Sequence, residues 1–339
     1  MTASGFLLGA RRRVKDVGIQ IEWDDAALTE PIETTLGYFG FAPLNKAAAA
    51  PDVCPLRLTF SMHEPPLEVP SQAEALSESP EGLRFHRLGE TLYLHFKGTV
   101  VRLEPQQGTA YGTLATEKTT LRDALLFCLF FYSAVILLYY RGLRTMHAAC
   151  LTQGDAGCLF IGESDSGKST LAMRLVESGW HYLSDDSVLL SREGGGIEAY
   201  PLRRDFCLDP EAEAVFPQVG AHWQPHLADV RKQRLSIESL YPAQAAAQCT
   251  VRTLVFPRIV DAAESRLVPL ASKEALLGLL HHSGALAVLD APTAAAHLED
   301  LKLLTRQAQS YTLLAGRDLR DDPAAAAALF DDVVERRKG

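Results

Sequence analysis

The pattern of apolar and polar positions changes character twice along this chain. From Val17 to Trp23 it alternates with period two. The same alternation returns in Leu56–Met62, Leu83–Leu88, Thr91–Phe96, Thr99–Leu103 and Ala110–Leu114. Gly89, Gly98 and Gln106–Gly108 fall between these runs, where turns belong, so they predict short strands joined as a meander. Ile32–Phe41 reads as a short helix. Pro65–Gly82, rich in Pro, Ser and Glu, reads as an exposed loop.

Over Thr119–Tyr140 the alternation gives way to a nearly continuous apolar run. Its centre, Ala124–Tyr140, lies between Arg122/Asp123 and Arg141. It falls short of the roughly 20 residues that a membrane-spanning helix needs. A buried helix at a domain seam is therefore expected, and no membrane association.

From Met146 onward the pattern is α/β. Strands are predicted at Met146–Thr152, Gly157–Ile161, His181–Ser184, Ser187–Ser191, Val251–Val260 (interrupted by Pro257) and Gln309–Ala315. Helices are predicted at Lys168–Ser178, Ser272–His282, Ala294–Ala308 and Pro323–Arg337, with Gly179 as a helix-ending glycine. The expected organisation is an α+β domain over 1–120, an apolar connecting helix over 121–141 and an α/β domain over 142–339.

Bulk properties narrow the function. A length of 339 residues fits two domains. The net charge of −9 argues against nonspecific binding to nucleic acid or anionic membranes. The six cysteines, Cys54, Cys128, Cys150, Cys158, Cys207 and Cys249, form no C-x-x-C pair and predict free, buried thiols in a reducing compartment. The N-terminus has a short apolar stretch followed, not preceded, by basic residues, unlike a secretory signal. The expected location is cytoplasmic.

The chemistry concentrates in Gly162-Glu163-Ser164-Asp165-Ser166-Gly167-Lys168-Ser169-Thr170, which satisfies G-x-x-x-x-G-K-[S/T]. An apolar strand precedes it and an amphipathic helix with Leu171, Leu175 and Val176 on one face follows, as a phosphate-binding loop requires. Glycines let backbone N–H groups converge on phosphate oxygens, and the helix N-terminus adds partial positive charge. Lys168 is expected at the β- and γ-phosphates and Ser169 at Mg²⁺, so ATP or another nucleoside triphosphate with Mg²⁺ is the expected ligand.

Asp185-Asp186 begins 17 residues after Lys168, past one helix and one strand. In a parallel sheet that places both carboxylates at the end of the neighbouring strand, beside the γ-phosphate. One could hold Mg²⁺ while the other takes a proton from an attacking hydroxyl. Positive charge at the transferring group is sought among Arg203, Arg204, Arg231, Lys232, Arg234 and Arg258, although the 231–234 run also reads as a solvated charge cluster. His222, His226, His281 and His282 show no ligand spacing and read as structural or surface residues.

Together His147, Gly162–Ser169, Gly179 and the strand ending in Asp185-Asp186 resemble the HPr kinase/phosphorylase superfamily, whose phosphate-loop fold is related to phosphoenolpyruvate carboxykinase. The resemblance covers about Met146–Leu190. It extends more weakly to Tyr200–Leu208 and Leu254–Arg258, which look like the divergent HPr-kinase-related branch. It implies a kinase domain with Lys168 and Ser169 at nucleotide and metal, Asp185 as general base, Asp186 nearer the metal, and His147 in the active site. Arg204 and Arg258 lie in family-like segments; Arg204 is a candidate catalytic residue, and which arginine completes the site stays open. The second, glycine-rich signature of true HPr kinases is absent from residues 190–250, so neither HPr as substrate nor phosphorolysis carries over.

The expected function is a Mg²⁺-dependent kinase acting on a hydroxyl, foremost a serine of a peptide or small protein. The N-terminal half would present that substrate, its strand edges open to an extended peptide. A nucleotide-gated scaffold with little transfer activity, or a kinase of a small metabolite, are the alternatives. The family's kinases are often hexameric, which leaves a homo-oligomer open.

Overall fold

The structure, a computed structural model, describes residues 8–44, 56–79, 82–114, 119–225, 232–283 and 286–335. It is a mixed α/β protein of two compact units, Met1–Leu143 with Ala285–Thr293 and Arg144–Gly284 with Ala294–Gly339.

The first unit contains β1 (Leu8–Val14), β2 (Val17–Trp23), α1 (Thr29–Tyr38), β3 (Ala42–Pro43), β4 (Leu56–Ser61), β5 (Glu74–Glu78), β6 (Arg84–Leu88), β7 (Thr91–Phe96), β8 (Thr99–Glu104), β9 (Thr109–Thr113) and α2 (Thr119–Tyr139). The strands form one sheet in the order β3-β1-β2-β4-β9-β8-β7-β6-β5. Strands β6 to β9 make the expected antiparallel meander, which β5 extends, while β4 pairs parallel with both β9 and β2.

Two strands depart from expectation. β1 is basic on its outward side and buries only Ala10 and Val14; a tight turn at Lys15, with φ 53°, folds it onto β2. β5 lies inside the stretch expected to be a loop. None of its residues is fully buried, and backbone pairing with β6 holds it.

The apolar helix α2 packs against β4, β7, β8 and α1. Its Leu129, Phe130 and Ala134–Tyr139 are buried, and Phe131 stacks on Phe39 with ring centroids 5.2 Å apart. A helix with partners on several sides is apolar all round for that reason. Among the described residues no helix is long and apolar enough to cross a membrane.

The second unit contains β10 (Leu143–Met146), β11 (Ala148–Gln153), β12 (Ala156–Ile161), α3 (Lys168–Glu177), β13 (His181–Ser184), β14 (Val188–Glu193), β15 (Gly196–Pro201), β16 (Asp205–Leu208), β17 (Gln224–Pro225) and β18 (Gln233–Ser236). It continues with α4 (Ile237–Leu240), β19 (Cys249–Ile259), β20 (Arg266–Pro269), α5 (Ser272–His281), α6 (Ala291–Gln307), β21 (Gln309–Ala315), α7 (Asp318–Asp321) and α8 (Pro323–Glu335). The main sheet runs β10-β14-β15-β19-β12-β11-β13, with β21 also on β19 and β20 on β21. A small sheet, β16-β18-β17, stands apart.

Alternation along the central strands serves two cores. Ala149, Leu151, Cys158 and Phe160 face α3 and Phe330 of α8, while Ala148, Cys150, Leu159 and Ile161 face Leu279 of α5 and Leu301 and Leu304 of α6. The result is a helix–sheet–helix sandwich, which explains why β11 and β12 read as apolar runs without polar alternation. Cys150, Cys158, Cys207 and Cys249 are buried, as expected; Cys54 and the side chain of Cys128 lie outside what the structure describes. Pro257 does not interrupt β19. The last residue of β19 paired with β12 is Val255, opposite Phe160, so the missing N–H of Pro257 removes no bond to β12.

Candidate active site

Three strands deliver the site to one edge of the sheet. β12 ends at Ile161, directly before the glycine loop. β11 is antiparallel to it, with Ala148 opposite Ile161, and β13 is antiparallel to β11, with Ser184 opposite Cys150. His147 before β11, Gly162 after β12 and Asp185 after β13 therefore share that edge. The expectation of a parallel neighbouring strand is corrected: β11 stands between β12 and β13, because the turn at Gly154 folds β11 back beside β12 as a hairpin. The predicted single strand Met146–Thr152 is likewise two strands, with His147 at the break.

The loop is shaped by its glycines. A Cβ on Gly162 would lie 2.8 Å from Ser166 Oγ, and Gly167 has φ 86°, a conformation that L side chains rarely adopt. Asp165 is also left-handed, with φ 63°. Gly167 caps α3 without a side-chain hydrogen bond, which leaves the first-turn N–H groups of α3 to an anion. The buried hydroxyl of Ser166 has no partner among the described residues. Lys168 is buried, and its ammonium donates to the carbonyls of Gly162 (2.8 Å) and Glu163 (2.6 Å). Burial pulls its pKa down, Asp185 and Asp186 oppose this, and Lys232 adds to it.

The two aspartates differ. Asp185 is fully buried; it accepts from the Ser169 hydroxyl at 2.9 and 3.1 Å and from the Cys207 N–H at 3.1 Å. Burial, reinforced by Asp186, pushes its pKa up to about 6 against the pull of these hydrogen bonds and Lys168. Asp186 is turned outward by a left-handed backbone (φ 62°), and its side chain is 31% exposed. One of its oxygens meets His147 Nδ1 at 3.1 Å and the other is held by Arg203. Burial works against the charged form of Asp186, but Arg203, His147 and Lys168 together keep its pKa below the usual carboxylate value. His147 is lowered by burial, with Asp186 opposing and Lys168 and Arg203 adding, so the imidazole favours its neutral form.

The arginine that meets Asp186 is Arg203; Arg204 turns away from it. Ser184 Oγ accepts the N–H groups of Leu202 and Arg203 and so ties the end of β13 to that segment. This registers Arg203 over Asp186, while the next side chain faces away and reaches Glu238 at 3.2 Å. Lys232, read from sequence as part of a charge cluster, stands 3.5 Å from Asp165 on the loop. Arg234 pairs with Asp205 at 3.1 Å, and Arg258 is exposed on β19. Arg231 and His226 lie outside the described residues.

His281 and His282 read from sequence as structural or surface residues, yet they lie by the site: His281 Nε2 is 2.8 Å from Glu163 Oε1 of the loop, and the His282 carbonyl accepts the His147 N–H at 3.4 Å. No sequence spacing links them to Glu163; a consecutive histidine pair closing a helix was the one available signal.

Beside the loop lies a cleft of about 260 Å³. Gly167, Thr170, Leu171, Pro257, Ile259 and Leu313 line it, together with Arg317 and Arg320. The donor set fits the expected ligands: hydroxyl and carboxylate oxygens of Ser169 and Asp185 suit Mg²⁺, and the uncapped helix with Lys168 suits phosphate.

No protein-family model matches this chain, and no curated protein matches it. Among solved structures it is similar to the Hpr(Ser) kinase/phosphatase from Coxiella burnetii, with 14% identity over 58% of this chain and 93% of that one and a TM-score of 0.33. The structural relationship is distant.

Proposed function

We propose that the second unit binds a nucleoside triphosphate with Mg²⁺ and transfers the γ-phosphoryl group to a hydroxyl, foremost a serine of a peptide or small protein. The observation that carries this reading is the hydrogen bond between Ser169, at the start of the helix after the loop, and the buried Asp185, with the half-buried Asp186 next to it. A binding loop needs the first carboxylate; a second, accessible one beside it serves chemistry.

In this reading the loop N–H groups and Lys168 hold the phosphates, and the neighbouring apolar cleft takes the base. Ser169 and Asp185 hold Mg²⁺, which neutralises charge on the phosphate oxygens. Asp186 accepts the proton of the attacking hydroxyl at a carboxylate oxygen, and His147 orients it through Nδ1. Arg203 brings positive charge to the transferring group. The roles expected of the two aspartates are thereby exchanged, because Asp185 is sealed against Ser169 and only Asp186 is open to a substrate. The sequence resemblance over Met146–Leu190 supports the serine acceptor.

The test is transfer of labelled phosphate from ATP to peptides and small proteins encoded beside this gene, with the phosphosite located by mass spectrometry. Asp186→Asn should keep Mg-nucleotide binding and lose transfer by about 10²–10⁴-fold. Binding without transfer to any acceptor would favour a nucleotide-gated scaffold. Loss of transfer in Asp185→Asn alone, with metal binding intact, would restore Asp185 as base.

A further inference from the structure

Consecutive side chains on a helix point about 100° apart. His281 and His282 nevertheless converge, because α5 ends between them: His281 is its last residue and His282 its cap, with φ −94° and ψ 9°. Their ring centroids are 4.9 Å apart with planes at 83°. Glu163 reaches the pair from the glycine loop, 118 residues away in sequence, with Oε1 2.8 Å from His281 Nε2. One ligand atom from each of Glu163, His281 and His282 lies within 4.8 Å of the other two.

We propose that these three residues bind a divalent first-row transition cation of the zinc class at the rim of the glycine loop. Two imidazole nitrogens and one carboxylate are the donor set of open, three-ligand zinc sites, in which a fourth position takes water or a substrate atom. Imidazole also discriminates against Mg²⁺, which prefers an oxygen shell. A cation about 2.0–2.2 Å from each donor takes the place of the His281–Glu163 hydrogen bond and opens that contact to about 3.4 Å, the edge of a tetrahedron.

The side chains have room for this shift, with His281 70% and Glu163 72% exposed. The backbone beneath the histidines is anchored: the His282 N–H donates to Gly278 O at 3.2 Å, and the buried Ser283 Oγ donates to Leu279 O at 2.9 Å. An exposed His–Glu hydrogen bond needs only two partners; the third ring, brought in by the break at the helix end, completes a ligand set. The bound cation ties the loop to the end of α5. The inference does not depend on the loop holding a nucleotide.

The experiment titrates untagged, full-length, chelator-stripped protein with Co²⁺ in the absence of nucleotide. The expected result is a saturable visible absorption of low-coordinate Co²⁺ at one equivalent, abolished by Zn²⁺ and retained in excess Mg²⁺. His281→Ala, His282→Ala and Glu163→Gln should each weaken Co²⁺ by more than about tenfold. His222→Ala, on an exposed histidine outside the cluster, should leave the titration unchanged. Glu163 and His281 are exposed and His282 is half-buried, and circular dichroism checks that each variant is folded. Absence of a saturable band, or an unaltered titration in the folded His281→Ala/His282→Ala double variant, overturns the proposal.

Discussion

Ser169 and Asp185 stand 16 residues apart in sequence, and the hydroxyl of one donates to the carboxylate of the other at 2.9 Å. The contact joins the first turn of α3 to the end of β13 across the interposed β11. It places a hard oxygen pair at the foot of the loop, where a phosphate-bound Mg²⁺ would be held. Ser169→Ala and Asp185→Asn should therefore raise the Mg²⁺ concentration needed for half-maximal nucleotide binding by about tenfold or more. Nucleotide binding measured across a Mg²⁺ series checks this. An unchanged Mg²⁺ requirement in both variants would remove the pair from the metal site.

Arg203 and Arg204 are adjacent but face different partners. Arg203 is buried and grips Asp186, whereas Arg204 makes an exposed pair with Glu238. Arg203→Ala should lower transfer by about 10²-fold or more, since a charge at the phosphoryl group is lost and Asp186 loses its ion pair with Arg203. Arg204→Ala should be nearly silent, as exposed pairs contribute about 0–1 kcal/mol. Parallel measurement of transfer rate and thermal stability separates the two; equal losses would contradict the assignment.

Gly162 closes the start of the loop against Ser166, whose Oγ would lie 2.8 Å from an added Cβ. Gly162→Ala should push the loop away from its phosphate-binding shape and weaken nucleotide binding by about tenfold or more, since misplacing such groups by about 1 Å is costly. The clash is with one short side chain rather than backbone, so the melting temperature should move little. Nucleotide titration beside a melting curve makes the check. Wild-type affinity would mean that the loop adapts freely.

The site was legible where its chemistry is local. Gly162–Thr170 and Asp185-Asp186 sit in contiguous segments whose strand and helix patterns are strong, and Lys168–Glu177 and Gln309–Ala315 follow from periodicity alone. β1 and β5 escaped notice because backbone pairing holds them while their side chains stay largely polar and exposed. The choice of Arg203 over Arg204 depends on where Ser184 ties a distant segment, and Ser184 carries no mark of that in sequence. The approach of His281 and His282 to Glu163 is tertiary for the same reason. Even the place of β13 needed the sheet order, since a hairpin partner between β12 and β13 is invisible to a local pattern.

The raised pKa of Asp185 makes a stability prediction with a definite sign. Its carboxyl shifts from 3.8 to about 6 on folding, with burial the leading cause and Asp186 second. A group raised in the folded state stabilises the fold while protonated; that contribution is complete below pH 3.8 and is lost as pH rises through about 6. Above that window the buried charge opposes folding, by up to about 3 kcal/mol for a shift of this size. Asp185→Asn removes the charge and retains an oxygen for the Cys207 N–H and the Ser169 hydroxyl. In a chelating buffer at pH 8 the variant should therefore be the more stable protein, by about 1–3 kcal/mol. That advantage should shrink as pH falls through 6 and vanish near pH 4. Mg²⁺ with nucleotide should reverse the order by stabilising the wild type alone. Calorimetric melting of both proteins at pH 8, 6 and 4 decides the matter. A variant melting at or below the wild type at pH 8 without metal would mean that Asp185 carries no such penalty.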